Sequence, residues 1–346
     1  MNPPRGQRAW RGLRGPLLVL ALALAAGCPR FHAGPPPGAP ATARFVEVDG
    51  VALHTRVAGS GPAVLFIHGY ASSMEMWRGV FERVARDHRA IAVDLKGFGW
   101  SARPPGDYSP PAQAALVWKV LDKLGVDDVT IVGHSWGSSV SLAMALSAPA
   151  RVRRIALYDA YVYEEQVPSF FRWARLGGVG EVLFGLFYRQ RLDERAPLAY
   201  HDPRFVTQRR VDALEREAAR PGTTAAALAA ARGQRFAAVS ARYRTISAPT
   251  LLLWGAEDEV TPLRFGQRLA GELPDARLVV FPQCGHVPML EARTASTREL
   301  LAFLAAEAAP APARDTDGQV APDRAVSDPV PAPSDPAPAP SEQVTP

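Results

Sequence analysis

The chain has 346 residues, of which 47% are hydrophobic, so it is long enough to bury the core of one large domain or two small ones. Its formal net charge is only +5, and no cluster of Lys or Arg interleaved with aromatic residues occurs, which argues against nucleic-acid binding. The chain contains only two cysteines, Cys28 and Cys284, and this number excludes a disulfide framework.

Residues 1–27 have the composition of an export signal. Four arginines and no acidic residue accompany an apolar run from Pro16 to Ala26, which is shorter than the roughly 20 residues of a membrane-spanning helix. Ala25-Ala-Gly-Cys28 resembles a bacterial lipobox, so we expect Cys28 to be lipidated in an exported, membrane-anchored lipoprotein. Release into the periplasm and an uncleaved anchor are the alternatives. The Pro/Gly-rich residues 28–43 are typical of a tether.

Apolar runs rich in β-branched residues predict eight strands along the chain. They cover residues 44–49, 51–57, 63–67, 90–93, 128–132, 152–157, 250–254 and 277–281. Segments with helical spacing alternate with these strands, at 73–86, 111–124 and 138–146. The alternation predicts an α/β fold with a mostly parallel eight-stranded sheet and helices on both faces.

Residues 160–245 interrupt this alternation with helical, aromatic-rich pieces and no strand. We interpret them as a helical cap over the strand ends, and the core therefore comprises residues 44–159 and 246–307. The cap aromatics Phe170, Phe171, Trp173, Phe184, Phe187 and Tyr188 suit either the cap's own core or an apolar substrate pocket. Pro, Ala, Asp and Ser dominate residues 308–346, which predicts a disordered tail.

Two types of bound group are not expected. Gly97-Phe-Gly-Trp-Ser-Ala102 matches the dinucleotide fingerprint, but Arg103-Pro-Pro-Gly106 ends the helix that such a site needs at the pyrophosphate. The histidines lack the paired spacing of metal ligands. We therefore expect neither a cofactor nor a metal, and a loop that shapes a pocket is the better interpretation of residues 97–102.

Gly133-His-Ser-Trp-Gly137 joins the predicted strand at 128–132 to the helix that follows. A serine on a sharp strand-to-helix turn needs small neighbours, and Gly133 and Gly137 meet that need while Ser135 stays exposed. This context predicts a nucleophile. The alternative is a tight turn with a buried structural serine.

A serine nucleophile needs a base, and the base needs a partner that fixes its tautomer. Asp258 follows one predicted strand and His286 follows another, with Glu257 and Glu259 as rivals for the acid. Ser135, Asp258 and His286 each follow the C-terminal end of a strand, where open α/β sheets place their sites.

With these motifs the chain resembles the α/β-hydrolase fold superfamily, in its capped form, from about Phe45 to Leu304. The matching residues are His68-Gly-Tyr70, Asp94-x-x-Gly97-x-Gly99-x-Ser101, Gly133-His-Ser-Trp-Gly137, Asp258 and Gly285-His286. The resemblance implies that Ser135 attacks a carbonyl, that His286 is the general base and then acid, and that Asp258 orients it. It also implies an oxyanion hole of the backbone N–H groups of Tyr70 and Trp136, with His68 ordering its loop.

Serine at this position argues against dehalogenases and most epoxide hydrolases, which resemble this chain but carry aspartate there. Esters, lactones, thioesters, amides, carbon–carbon bonds and peracid formation by cofactor-free haloperoxidases stay open. We expect a serine hydrolase, and more narrowly a carboxylesterase, acting on a small or medium hydrophobic ester without a cofactor. The alternatives are a carbon–carbon bond hydrolase or perhydrolase on the same triad, and a non-catalytic envelope binding protein.

Overall fold

The computed structural model describes residues 29–190 and 196–308, with side chains up to Ala306. The predicted export signal, the predicted lipidation residue Cys28 and nearly all of the predicted tail lie outside the described residues. The compact unit of the chain ends at Ala306. Among the described residues, no helix has both the length and the apolar composition needed to cross a membrane.

Eight strands form one sheet in the order β1-β2-β4-β3-β5-β6-β7-β8. They are β1 Phe45–Val48, β2 Val51–Ala58, β3 Ala63–Ile67, β4 Arg89–Val93, β5 Val129–His134, β6 Val152–Tyr158, β7 Thr250–Gly255 and β8 Ala276–Phe281. The pairs β1–β2 and β2–β4 are antiparallel, and every other neighbouring pair is parallel. The predicted eight-stranded, mostly parallel sheet is therefore confirmed.

Helices cover both faces of this sheet because successive side chains of its buried strands point to opposite sides. In β3, Leu65 and Ile67 join one apolar cluster, and Val64 and Phe66 join the other. The core helices are α1 Arg78–Val84, α2 Pro110–Lys123 and α3 Trp136–Ser147, with α9 Arg264–Glu272, α10 Pro288–Glu291 and α11 Arg293–Ala308 after the cap. The first cluster includes residues of α2, α3 and α9, and the second includes residues of α1 and α11.

The described residues between β6 and β7 contain helices and no strand. These helices are α4 Ser169–Ala174, α5 Val179–Phe187, α6 Gln208–Ala219, α7 Thr223–Gly233 and α8 Ala237–Ser240. Phe184 of α5 is fully buried, and its ring lies 5.2 Å from that of Phe170, 6.0 Å from that of Phe171 and 5.5 Å from that of Tyr188. Much of the aromatic content of this region therefore packs the interior of the helical layer.

The start of the predicted tether lies against the body of the protein. The backbones of His32 and Arg103 form a β-bridge with N–O distances of 3.0 and 2.9 Å. The Phe31 ring stacks on Tyr108 at 6.0 Å. Within the predicted tether, Phe31 and His32 therefore contact the body of the protein through a ring and a backbone bridge.

Candidate active site

The serine of the Gly133–Gly137 motif lies at the turn between β5 and α3. Ser135 has φ 51° and ψ −123°, a conformation that side chains rarely adopt and that is typical of strained functional turns. A Cβ added at Gly133 would lie 2.4 Å from Ser141 Oγ, and one at Gly137 would lie 2.4 Å from the carbonyl oxygen of His68. The turn can therefore form only because both flanking positions are glycine.

Asp258 and His286, predicted from separate loops, are in direct contact. Nδ1 of His286 lies 2.8 Å from Oδ2 of Asp258, and both residues are buried. The backbone N–H groups of Val260 and Thr261 donate to Asp258 Oδ1 at 2.8 Å each, and the Thr261 hydroxyl donates to Oδ2 at 2.5 Å. Burial favours the neutral acid, but the charge of His286 and these donors hold the pKa of Asp258 below its usual value.

Glu257 and Glu259, the two other acidic residues of this turn, do not take the place of Asp258. Glu257 is exposed, and its carboxylate accepts the N–H of Cys284 at 2.9 Å. Glu259 is also exposed. Of the three acids in this turn, Asp258 is thus the one that contacts His286.

His134 connects the serine turn to the His286 loop. Its Nε2–H donates to the carbonyl oxygen of His286 at 2.8 Å, and the two rings lie 4.8 Å apart. Burial and the neighbouring His286 lower the pKa of His134 to about 3, so its ring is neutral at physiological pH. Because His134 directly precedes Ser135 in the chain, this hydrogen bond fixes the His286 backbone beside the serine. His134 was not predicted as a site residue from the sequence.

The loop after β3 passes directly over the serine. A Cβ at Gly69 would lie 2.9 Å from His134 Nδ1 and 3.1 Å from Ser135 Cβ. The next residue, Tyr70, places its ring 6.2 Å from that of Trp136 and donates its hydroxyl to the carbonyl oxygen of Ala227 at 2.9 Å. Trp136 is the first residue of α3, so its N–H has no acceptor within the helix. The structure thus brings Tyr70 and Trp136 together beside Ser135.

His68 holds this loop in place from inside the core. Its Nδ1–H donates to the carbonyl oxygen of Gly69 at 2.7 Å, and its Nε2 accepts the N–H of Leu95 at 2.9 Å. Burial lowers the pKa of His68, which favours the neutral ring that these two bonds require. His68 therefore orders the loop, as the resemblance implies.

Asp159, which the sequence analysis missed, is a second buried carboxyl group beside Asp258. It directly follows β6, has φ 44°, and accepts the N–H of Gly255 through Oδ1 at 2.9 Å. Burial, together with the charge of Asp258, raises the pKa of Asp159 well above its usual range. The sequence signal that could have indicated Asp159 is an acidic residue just after the predicted strand 152–157, because parallel strands end at a common edge of the sheet.

His134, Asp159 and His286 offer nitrogen and oxygen atoms within 4.8 Å of one another, which is the kind of cluster that can hold a metal. Two of those groups are already engaged, since His134 Nε2 donates to a carbonyl and His286 Nδ1 contacts Asp258. Among the described residues, His134 Nδ1 and Asp159 Oδ2 have no hydrogen-bond partner, and we interpret the three residues as the surroundings of the Asp258–His286 pair.

A cavity of about 550 Å³ lies between the Tyr70 loop and the cap. Its apolar wall includes Tyr70, Phe98, Phe170, Phe171, Tyr188 and Leu198. Ser135 is 8% exposed and does not line this cavity; the wall residue Tyr70 has its ring 6.2 Å from that of Trp136, the residue after the serine.

Two charged side chains form one end of the cavity. The Arg103 guanidinium donates to Thr223 Oγ1 at 3.1 Å and to the carbonyl oxygens of Ser101 and Gly99 at 2.6 and 2.7 Å. Burial lowers its pKa to about 10, with a further contribution from Arg220. Burial also raises the pKa of Glu217.

Comparisons with known proteins agree with this fold. A family model described as alpha/beta hydrolase fold matches residues 62–292. The chain is 30% identical over 291 residues to a 2-hydroxy-6-oxo-2,4-heptadienoate hydrolase of Pseudomonas putida, which covers 76% of this chain and 96% of that protein. It is also 30% identical over 249 residues to a pimeloyl-[acyl-carrier protein] methyl ester esterase of Nitrosomonas europaea, covering 69% and 94%.

A crystal structure of a meta-cleavage product hydrolase variant superimposes on the chain with a TM-score of 0.68 and 25% identity. The superposition covers 76% of this chain and 98% of that one. The family model spans both the serine turn and the His286 loop. The chain therefore belongs to the alpha/beta hydrolase fold family.

Proposed function

We propose that this alpha/beta hydrolase is a serine hydrolase that cleaves a small or medium hydrophobic carboxylic ester through an acyl-enzyme. The observation that carries the proposal is the buried 2.8 Å contact between His286 and Asp258, fixed by His134 beside the strained Ser135 turn. An activated serine requires this combination of a base and an orienting acid.

The roles of Ser135, His286 and Asp258 follow from which nitrogen of His286 contacts Asp258. Asp258 holds Nδ1 of His286, which leaves Nε2 to take the proton of Ser135 as its oxygen attacks the ester carbonyl. Asp258 then stabilises the charged imidazolium. The N–H groups of Tyr70 and Trp136 bind the oxyanion, and His286 returns the proton to the departing alcohol. Water, deprotonated by His286, releases the acid by the same route in reverse.

The cavity favours an apolar substrate group. Its volume of about 550 Å³ lies within the range of small-molecule sites, and most of its lining residues are apolar. Both charged groups of the wall already have hydrogen-bond partners. Arg103 donates to Thr223 Oγ1 at 3.1 Å, and Glu217 accepts the Ser73 hydroxyl at 2.9 Å. An acyl or alcohol group of medium length can fill the cavity without leaving a polar group unpaired.

A second candidate is hydrolysis of a carbon–carbon bond by the same residues. The name of the Pseudomonas putida relative describes such a substrate, a dienoate that carries a carboxylate. In support, the cavity wall includes the Arg103 guanidinium, whose three donated hydrogen bonds go to uncharged oxygens. Glu217 at the same end of the cavity weighs against it.

We also propose export and lipidation at Cys28, supported by the basic and apolar residues before it and by Ala25-Ala-Gly-Cys28. Expression with radioactive palmitate tests this. Label on the wild-type chain and none on Cys28→Ala is expected. Equal label on both proteins would contradict it.

The test of the enzymatic proposal is hydrolysis of p-nitrophenyl esters from acetate to laurate. The wild type should turn over at least one ester, and Ser135→Ala should lose turnover while its unfolding transition is unchanged. Turnover by the folded Ser135→Ala protein would refute a serine mechanism. Cleavage of a dienoate of the meta-cleavage type, with no ester cleaved, would favour the second candidate.

A further inference from the structure

The cap carries a concentration of exposed apolar side chains. Twelve large hydrophobic residues are exposed in the described part of the chain, and five of them lie within residues 173–186. These five are Trp173 at 60% exposure, Leu176 at 58%, Leu186 at 54%, Val179 at 43% and Val182 at 38%; we call them the cap face. Clusters of this kind on a protein surface mark interaction sites.

The cap face belongs to helices that also line the cavity. Val179, Val182 and Leu186 are spaced by three and four residues and lie on one side of α5. Phe184 of α5 points inward and packs on Phe170 of α4, which lines the cavity. Helices α4 and α5 therefore separate the cavity from whatever covers the cap face.

Positive charge is concentrated in the same region. Residues 160–245 contain 14 arginines, no lysine and nine acidic residues, whereas residues 44–159 and 246–307 together contain 18 basic and 19 acidic residues. Arg172, next to Trp173, and Arg189, just after α5, are both exposed. An apolar face with arginines beside it is typical of helices that lie at the surface of an anionic bilayer.

The position of the first described residues indicates which side of the protein would lie nearest to a bilayer that holds a lipid on Cys28. Pro29 and Phe31 share a cavity wall with Glu181 of α5 and Arg232 of α7. In the sequence, the predicted lipidation residue Cys28 directly precedes Pro29. If Cys28 carries the lipid proposed above, that lipid therefore holds the bilayer on the α5 side of the protein.

We propose that the cap face docks on the surface of an anionic phospholipid bilayer. Trp173, Leu176 and Leu186 enter the boundary between headgroups and acyl chains, and the neighbouring arginines bind lipid phosphates. The bilayer then lies against the two helices that cover the cavity, so a lipophilic substrate has a short path from the lipid to the site.

The test uses the full chain with vesicles of phosphatidylglycerol and phosphatidylcholine whose acyl chains carry bromine, which quenches tryptophan emission at short range. Emission is read from vesicle-bound protein after flotation, and Trp173→Phe identifies the contribution of Trp173. We expect brominated lipid to quench Trp173. The Leu176→Asp/Leu186→Asp protein should lose this quenching, whereas Val280→Asp, at an exposed residue of β8, should retain it.

Three results would overturn the proposal. The first is Trp173 emission that is the same in brominated and unbrominated vesicles. The second is equal quenching in pure phosphatidylcholine, which would refute the anionic requirement. The third is a lipid-free dimer that Leu186→Asp dissociates, because a second copy of the chain would then cover the cap face.

Discussion

Gly137→Ala should destabilise the protein and impair its site together. The added Cβ would lie 2.4 Å from the carbonyl oxygen of His68 and 2.7 Å from that of Ile67. Both oxygens belong to the backbone at the end of β3, so neither can rotate away, and the serine turn and the Tyr70 loop must separate. Overpacking of this type costs about 3 kcal/mol at the upper end of its usual range. For a domain of this size that corresponds to a melting temperature about 5 °C lower.

The matched control is Gly271→Ala, an exposed position in α9 where an added Cβ meets nothing within 4 Å. Alanine there should leave stability unchanged or raise it by up to about 1 kcal/mol. Thermal unfolding and p-nitrophenyl ester turnover are measured on both. Because the clash moves the Tyr70 N–H relative to that of Trp136, turnover by Gly137→Ala should fall by about 10²-fold or more. A Gly137→Ala protein as stable and active as Gly271→Ala would refute the steric reasoning.

Three further substitutions probe the same network. Asp258→Asn should lower kcat by about 10³–10⁴-fold, because His286 loses the carboxylate that stabilises its charged form; a loss below tenfold in ester turnover would contradict this. Asp159→Asn should flatten the pH dependence of stability. The raised pKa of Asp159 makes the folded state hold a proton that the unfolded chain releases, so stability falls as pH rises above the ordinary carboxyl pKa towards the raised value. Urea unfolding at pH 5 and pH 8 should show a smaller difference for the variant, and an unchanged difference would refute it. Phe184→Ala should cost about 3–5 kcal/mol in unfolding free energy, because the ring is fully buried against three others; a cost below 1 kcal/mol would contradict the packing.

The sheet could be predicted because its strands are continuous apolar runs. A strand buried on both faces, such as β3 or β5, has few polar residues, and the turns beside it contain Gly, Pro or Asp. The helices between β6 and β7 could be recognised from the absence of such runs. Strands and helices depend on residues that are close together in the sequence, so the local pattern of apolar residues is enough to predict them.

Contacts between distant segments could be predicted only where a motif marked both partners, as for Asp258 and His286. Asp159 and Asp258 are 99 positions apart, and although each follows a strand, it is the pairing of β6 with β7 in the folded sheet that brings their carboxyl groups together. The binding of Phe31 and His32 to the body was hidden by a Pro-rich composition that is typical of tethers. Both features depend on tertiary packing, which overrides the local signal.

The central claim is that Ser135 is an activated nucleophile. Its most direct test is intact-protein mass spectrometry after exposure to a p-nitrophenyl alkylphosphonate, followed by peptide mapping. The account predicts one added phosphonyl group, located on Ser135, with no addition to Ser135→Ala and much slower addition to Asp258→Asn. A folded wild-type protein that gains no mass, or that gains it at another residue, would contradict the account.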